Sequence, residues 1–373
     1  ALRNTAPASL RAEALATLGT WANPSVMDRV DGRYRGAIER DPALVTAKVK
    51  ENISKFLTNR QPEVLIATAQ MLSQLGISDN NAALAGIMSK NSTPEVRSAM
   101  LVALQQLKHD GIEDAIKAGM SDRDATVRTT AVGLLASLNL SKEALPGIVG
   151  PVFSKGDLRE QQQLLRVLGD LPVEQTESVL ADLIDQMAGN KLSEGLVLDL
   201  TEAVEATKSE ALIAQLSQIS SGESIMEMYA GTLLGGDANR GGRYFYRNST
   251  GQCVRCHSIG DNGGEVGPSL SNIGNILSRE QLLQSLVEPS ARLSPGFGTV
   301  TLTLTDGETV TGILIEETEE EITLKTTEAE PLEIAVSRIS SRQNIPSSMP
   351  PMGGIMSKRE IRDMIEFLSG QKE

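Results

Sequence analysis

The feature that most constrains this chain is a repeat. Pro62-Glu63-Val64-Leu65, Pro94-Glu95-Val96-Arg97, Ala125-Thr126-Val127-Arg128 and Gly156-Asp157-Leu158-Arg159 place an aliphatic residue at 64, 96, 127 and 158, intervals of 32, 31 and 31 residues. Each start is followed by apolar residues at helical spacing, as in Ala99, Leu101, Val102 and Leu104, or Ala131, Val132, Leu134 and Leu135. One such helix cannot bury its apolar face alone, and stacking the copies side by side buries each against the next. The interval therefore predicts an α-solenoid over residues 1–221, with Ser9 to Leu15 an earlier copy and Leu192 to Val204 a late, degenerate one. A non-repeating helical bundle is the alternative. Aromatic residues are only 3% of the chain, so Ala and Leu must fill most of the core.

The whole chain has 373 residues, more than one ordinary core accommodates. Hydrophobic residues at 40% and charged residues at 22% fit a folded, water-soluble protein. No apolar run reaches the roughly 18 residues a spanning helix needs, so no membrane span is expected. The first residues, Ala1-Leu2-Arg3-Asn4, carry neither an initiator Met nor a signal peptide's apolar stretch, and a processed or excised chain is expected. Thirty-five basic against 48 acidic residues leave a net charge of −13, which repels phosphate backbones and anionic lipid. Nucleic acid is not an expected partner.

Composition changes at Gly222. Gly235-Gly236 and Gly241-Gly242 interrupt the helical pattern, and Gly recurs through Gly267. From Thr299 to Leu304 the residues alternate with period two and stop at Asp306-Gly307, a hairpin signal. Further runs at 309–315, 321–325 and 332–336 predict four or five short strands. Helix returns at Ser357-Lys358-Arg359-Glu360, a capping box leading into a stripe of Ile361, Met364, Ile365 and Leu368. The expected second domain is thus 222–373, with 222–297 and 343–373 as one part and 298–342 as a β insert.

Both cysteines of the chain fall in Cys253-Val254-Arg255-Cys256-His257. This is the C-x-x-C-H arrangement that attaches a c-type haem, because two thiols at this spacing reach the two vinyl groups of one porphyrin and the next residue offers a nitrogen to the iron. The spacing predicts one covalent haem c, held through Cys253 and Cys256, with His257 on the metal. A C-x-x-C redox pair and half of a zinc site are the competing readings. Downstream, Val266-Gly267-Pro268-Ser269-Leu270 is placed to bring a backbone carbonyl to the His257 ring and fix its tautomer. Upstream, Phe245 is available to pack at the haem edge or simply in the core. For the sixth position, Met349 in Ser348-Met349-Pro350 is preferred for its Pro-braced loop, with Met352, another ligand or an open site as alternatives. The acidic run Glu316 to Glu321 reads as a solvated turn rather than a docking patch. No Ser, His and Asp set assembles into a hydrolytic site, since His109 is the only other His.

Two resemblances follow from these residues. Residues 1–221 resemble short HEAT-like repeats, with an aliphatic-Arg pair followed by Ala and Leu, although the interval is shorter than the roughly 40–47 residues of full HEAT units. Residues 222–373 resemble the PVC-type haem-binding domain, a class-I-like cytochrome c carrying an insert. The matching segments are Leu233-Leu234-Gly235-Gly236-Asp237, Cys253 to His257, Gly267-Pro268-Ser269-Leu270, Leu286-Val287-Glu288-Pro289, Asp306-Gly307, Ser348-Met349-Pro350 and Leu368. The resemblance implies a mainly α chain, with Cys253, Cys256, His257, Met349, Pro268, Phe245 and Leu270 around the cofactor. It also implies a position at the C-terminus of a long exported protein whose N-terminal part resembles a β-propeller sugar dehydrogenase; no propeller is present in these residues.

The expectation for function is electron transfer rather than catalysis, with His and Met ligation closing the iron to substrates. A redox protein or fused dehydrogenase domain would be the partner, docking on the solenoid. Thioether attachment of haem takes place outside the cytoplasm, so a periplasmic or exported location is expected. An open-site haem sensor or enzyme, and an interaction scaffold merely stabilised by haem, are the rival functions.

Overall fold

The computed structural model describes residues 1–138, 140–219, 222–328 and 330–372. The chain is mainly helical with a small β component. It divides into two compact units, Ala1–Leu183 with Glu202–Leu212, and Ile184–Thr201 with Ile213–Glu373. The expected boundary at 221 touches Ser221, outside the described residues.

In the first unit the helices Ala8–Gly19, Pro62–Gln74, Pro94–Gln106, Ala125–Leu134 and Leu158–Asp170 pack each on the next. The third residue of three of these helices is Val64, Val96 or Val127, each fully buried. The fourth copy departs from the expected register. Leu158 opens its helix and is only half-buried, while the third position holds Glu160, 3% exposed. The reason lies in the preceding copy: Arg128 donates from Nε and Nη2 to both Glu160 carboxylate oxygens at 2.8 and 2.9 Å. One copy earlier, Arg97 makes the same fork on Asp122 at 2.8 and 2.7 Å. Such buried bidentate pairs trade apolar contact for a fixed geometry.

The second unit does not begin at a single cut near residue 221, because Ile184–Thr201 belongs to it. Asp199, fully buried, accepts from Arg362 Nη1 at 2.5 Å and pairs with Arg359 at 3.1 Å, and both arginines lie on the terminal helix Lys358–Ser369. That helix opens with the Ser357/Glu360 capping box and buries Ile361, Met364, Ile365 and Leu368. It crosses the helix Ala238–Arg247 where glycine permits contact: a Cβ on Gly241 would lie 2.1 Å from the Asp363 carbonyl oxygen. Buried Asp363 secures the crossing, accepting from Arg240 Nε and the Asp237 amide, both at 2.7 Å.

Five strands follow: β1 (Thr299–Leu304), β2 (Thr309–Glu317), β3 (Glu321–Lys325), β4 (Leu332–Ala335) and β5 (Ile339–Asn344). They form one antiparallel sheet in the order β4-β3-β2-β1-β5. Its own apolar core includes Val300, Leu302, Leu314, Leu324 and Ile334. Gly307, at φ +87°, makes the β1–β2 turn. Glu317 and Glu321 bound an exposed turn, and Glu317 accepts from Arg342 at 2.6 Å. Of the four or five strands expected, β5 is the one to which no run was assigned, because Ser340-Ser341-Arg342-Gln343-Asn344 has no apolar alternation; it is a polar edge strand paired to β1. Among the described residues, no helix is long and apolar enough to cross a membrane.

Candidate functional site

The site starts from a tight turn. After the helix Ala238–Arg247, Asn248 Oδ1 accepts from the amides of Thr250 and Gly251 at 2.8 and 2.9 Å and reverses the chain. Gln252 then adopts the left-handed conformation, φ +44°, and launches a 3₁₀ turn over Cys253–Arg255. The Cys253 carbonyl accepts from the amides of Cys256 and His257 at 3.1 and 3.0 Å. One helical turn therefore groups Cys253, Cys256 and His257, as their spacing of three and four residues requires.

The chain next wraps back over this turn. A hairpin at Ser258–Ile259 and Asn262–Gly263 returns it, and the Gly267 amide donates to the Cys256 carbonyl at 2.8 Å. This brings Pro268 to His257: Nδ1 lies 2.8 Å from the Pro268 carbonyl oxygen. A carbonyl only accepts, so Nδ1 carries the proton and Nε2 keeps its lone pair. Leu270 is tied to the same hairpin through its amide, 2.8 Å from the Ser258 carbonyl.

Cys253, Cys256, His257, Pro268, Leu270, Phe245 and Met349, all expected from sequence, line one cleft of about 200 Å³ that opens to solvent. Phe245 is 1% exposed at its base, with the Phe367 ring centroid 5.8 Å away. Met349 is half-buried, whereas Met352 is a buried core member; both line the cleft and Met356 does not. His109 has no part in it.

Sequence reasoning missed one wall. Pro289, Arg292, Leu293, Ser294 and Phe297, on the segment leading into β1, also line the cleft. Arg292 is its only Lys, Arg, Asp or Glu among the described residues. No pattern in the sequence marks it, because it lies on an irregular segment between a helix and the first strand of the sheet.

The thiols are both free. Burial pushes the Cys253 thiol up from its ordinary value, with the nearby Cys256 thiol adding to the shift. A C-x-x-C redox pair needs the opposite, a lowered pKa that supplies thiolate. Among the described residues, no group of three or more His, Cys, Asp or Glu side chains comes together as a metal site.

The donor set fits a covalently bound haem on three counts. The cleft is lined mainly by apolar side chains, as small-molecule and cofactor sites are. Two unpaired thiols and a free imidazole nitrogen share one turn. Gly267 also leaves no room beside the ring for any larger residue, since a Cβ there would stand 2.6 Å from His257 Cε1. A scan against models of known protein families and a search of curated proteins both return no match.

Proposed function

We propose that this chain is an electron-transfer cytochrome c, in which Cys253 and Cys256 bond one haem and His257 Nε2 ligates its iron. The observation that carries this reading is the convergence of the C-x-x-C-H turn, the Pro268 carbonyl and Met349 on one apolar cleft. When bound, the haem supplies a one-electron ferric/ferrous couple. The chain's residues set the conditions. Pro268 holds the imidazole in the tautomer that presents Nε2. Met349, half-exposed in the cleft where Met352 is committed to the core, is the preferred sixth ligand. Arg292, the single cation of the lining among the described residues, is suited to a porphyrin carboxylate.

Residues 222–373 accordingly read as a PVC-type haem-binding domain with a β insert. The stacked helices of the first unit read as a HEAT-like α-solenoid, serving as a docking scaffold for a redox protein or fused dehydrogenase domain. Covalent haem attachment further implies a periplasmic or exported setting. A pyridine haemochrome spectrum of the purified chain tests the proposal: the bands of haem c are expected, and those of haem b or no haem at all would reject it.

A further inference from the structure

The two segments that join the five-stranded sheet to the rest of its unit both line the cleft, Pro289 to Phe297 on entry and Ser347 to Pro350 on exit. They are stitched together. Ser290 Oγ accepts from the Ser347 amide at 3.0 Å, and Ser347 Oγ accepts from the Met349 amide at 3.1 Å. Asn344, the last residue of β5, donates from Nδ2 to the Ser290 carbonyl at 3.0 Å and lies 3.4 Å from that of Ala291. The far end of the same loop is fixed separately, by Tyr229 Oη donating to the Gly353 carbonyl at 2.9 Å. Between these anchors the Met349 amide bonds Ser347 Oγ and its side chain packs against the core, within a loop braced by Pro346, Pro350 and Pro351.

We infer that Ser290 is a positioning residue for Met349, acting through Ser347. The inference rests on Met349 being the sixth ligand, and it gives the β insert a role in the site, because pairing β5 with β1 brings the exit segment back to Ser290. A thioether is a weak, neutral ligand, so its occupancy of the iron depends on how firmly the loop that carries it is held. Losing one hydrogen bond of this kind changes a local equilibrium roughly three- to tenfold.

The experiment compares Ser290→Ala, Ser290→Thr, Ser347→Ala and Met349→Ala in the ferric, haem-loaded chain, titrated with imidazole and followed by its visible spectrum. Imidazole competes with the native sixth ligand, so Ser290→Ala and Ser347→Ala should bind it roughly three- to tenfold more tightly than wild type. Ser290→Thr, which keeps the hydroxyl, should match wild type, and Met349→Ala should bind it tightest. Hydrogen exchange at the Met349 amide should accelerate in Ser290→Ala, a readout independent of any haem. Should Ser290→Ala fail to fold, Ser347→Ala carries the test, since it leaves the Ser290 contact intact. Unchanged imidazole affinity in both variants, alongside a lowered melting temperature, would make the contacts merely structural and overturn the inference. If Met349→Ala binds imidazole no better than wild type, the ligand reading beneath it falls instead, and the exchange data still show whether the relay exists.

Discussion

Gly267 lies so close to His257 that a methyl group on its Cα would stand 2.6 Å from Cε1 and 2.9 Å from Nδ1 of the ring. The backbone here serves as one wall of the imidazole's slot, and the next residue, Pro268, provides the acceptor that orients it. Gly267→Ala should therefore push the ring away from the Pro268 carbonyl. Overpacking of this kind costs about 1–3 kcal/mol. A lowered melting temperature and a disturbed ferric spectrum are expected; wild-type values for both would mean the loop simply shifts aside.

This contact also shows how far sequence reasoning reached. The turn holding Cys253, Cys256 and His257, and the carbonyl brought by 266–270, were legible because local spacing fixes them. So was the terminal helix, whose Ser357/Glu360 box and apolar stripe are written in consecutive residues. Ser290 and Asn344 were not, because their contacts with each other and with Ser347 form only after β5 pairs with β1, and β5 is a polar edge strand with no alternating pattern; nor was Arg292, whose entry segment carries no motif. The Leu158 register failed for a related reason: Leu158 opens its helix, the buried third position is Glu160, and its partner Arg128 lies 32 residues earlier.

The first unit should show an acid-sensitive step. Burial raises the Asp122 carboxyl, but the Arg97 guanidinium and the Asp124 amide outweigh it and hold the group below its ordinary 3.8. A carboxylate held down in the folded state contributes stability that is present above 3.8 and lost as pH falls through the lower, folded value. Asp122→Ala should remove that step. It should also cost about 3–5 kcal/mol at neutral pH, because buried Arg97 loses its carboxylate and keeps only the Asn91 and Ser92 carbonyls. Melting curves recorded from neutral pH down to strongly acidic conditions check both.

Arg292 is expected to tune the potential. Its positive charge beside the cleft disfavours ferric iron, so Arg292→Gln should lower the midpoint potential by roughly 20–60 mV, and Arg292→Lys should lie between. Redox titration at low and high salt checks this. A shift of the same size at both would mean screening does not reach the charge.

Met349→Ala should lower the potential further, since thioether sulfur favours the ferrous state, and should leave the ferric iron high-spin or water-ligated. The weak charge-transfer absorption of Met-ligated ferric haem should vanish as well. Met352→Ala should keep both properties while losing about 2–5 kcal/mol of stability, because Met352 is 4% exposed in the core. The reverse pattern would transfer the ligand role to Met352.

On this reading the chain carries one haem bonded through Cys253 and Cys256. The most direct test is a denaturing gel stained for haem, paired with the intact mass of the same chain, for wild type and for Cys253→Ala/Cys256→Ala. Wild type should give a stained band and a mass raised by one haem, and the double variant neither. A haem that extracts into acidified organic solvent from wild type, or a wild-type mass equal to the bare polypeptide, would contradict it.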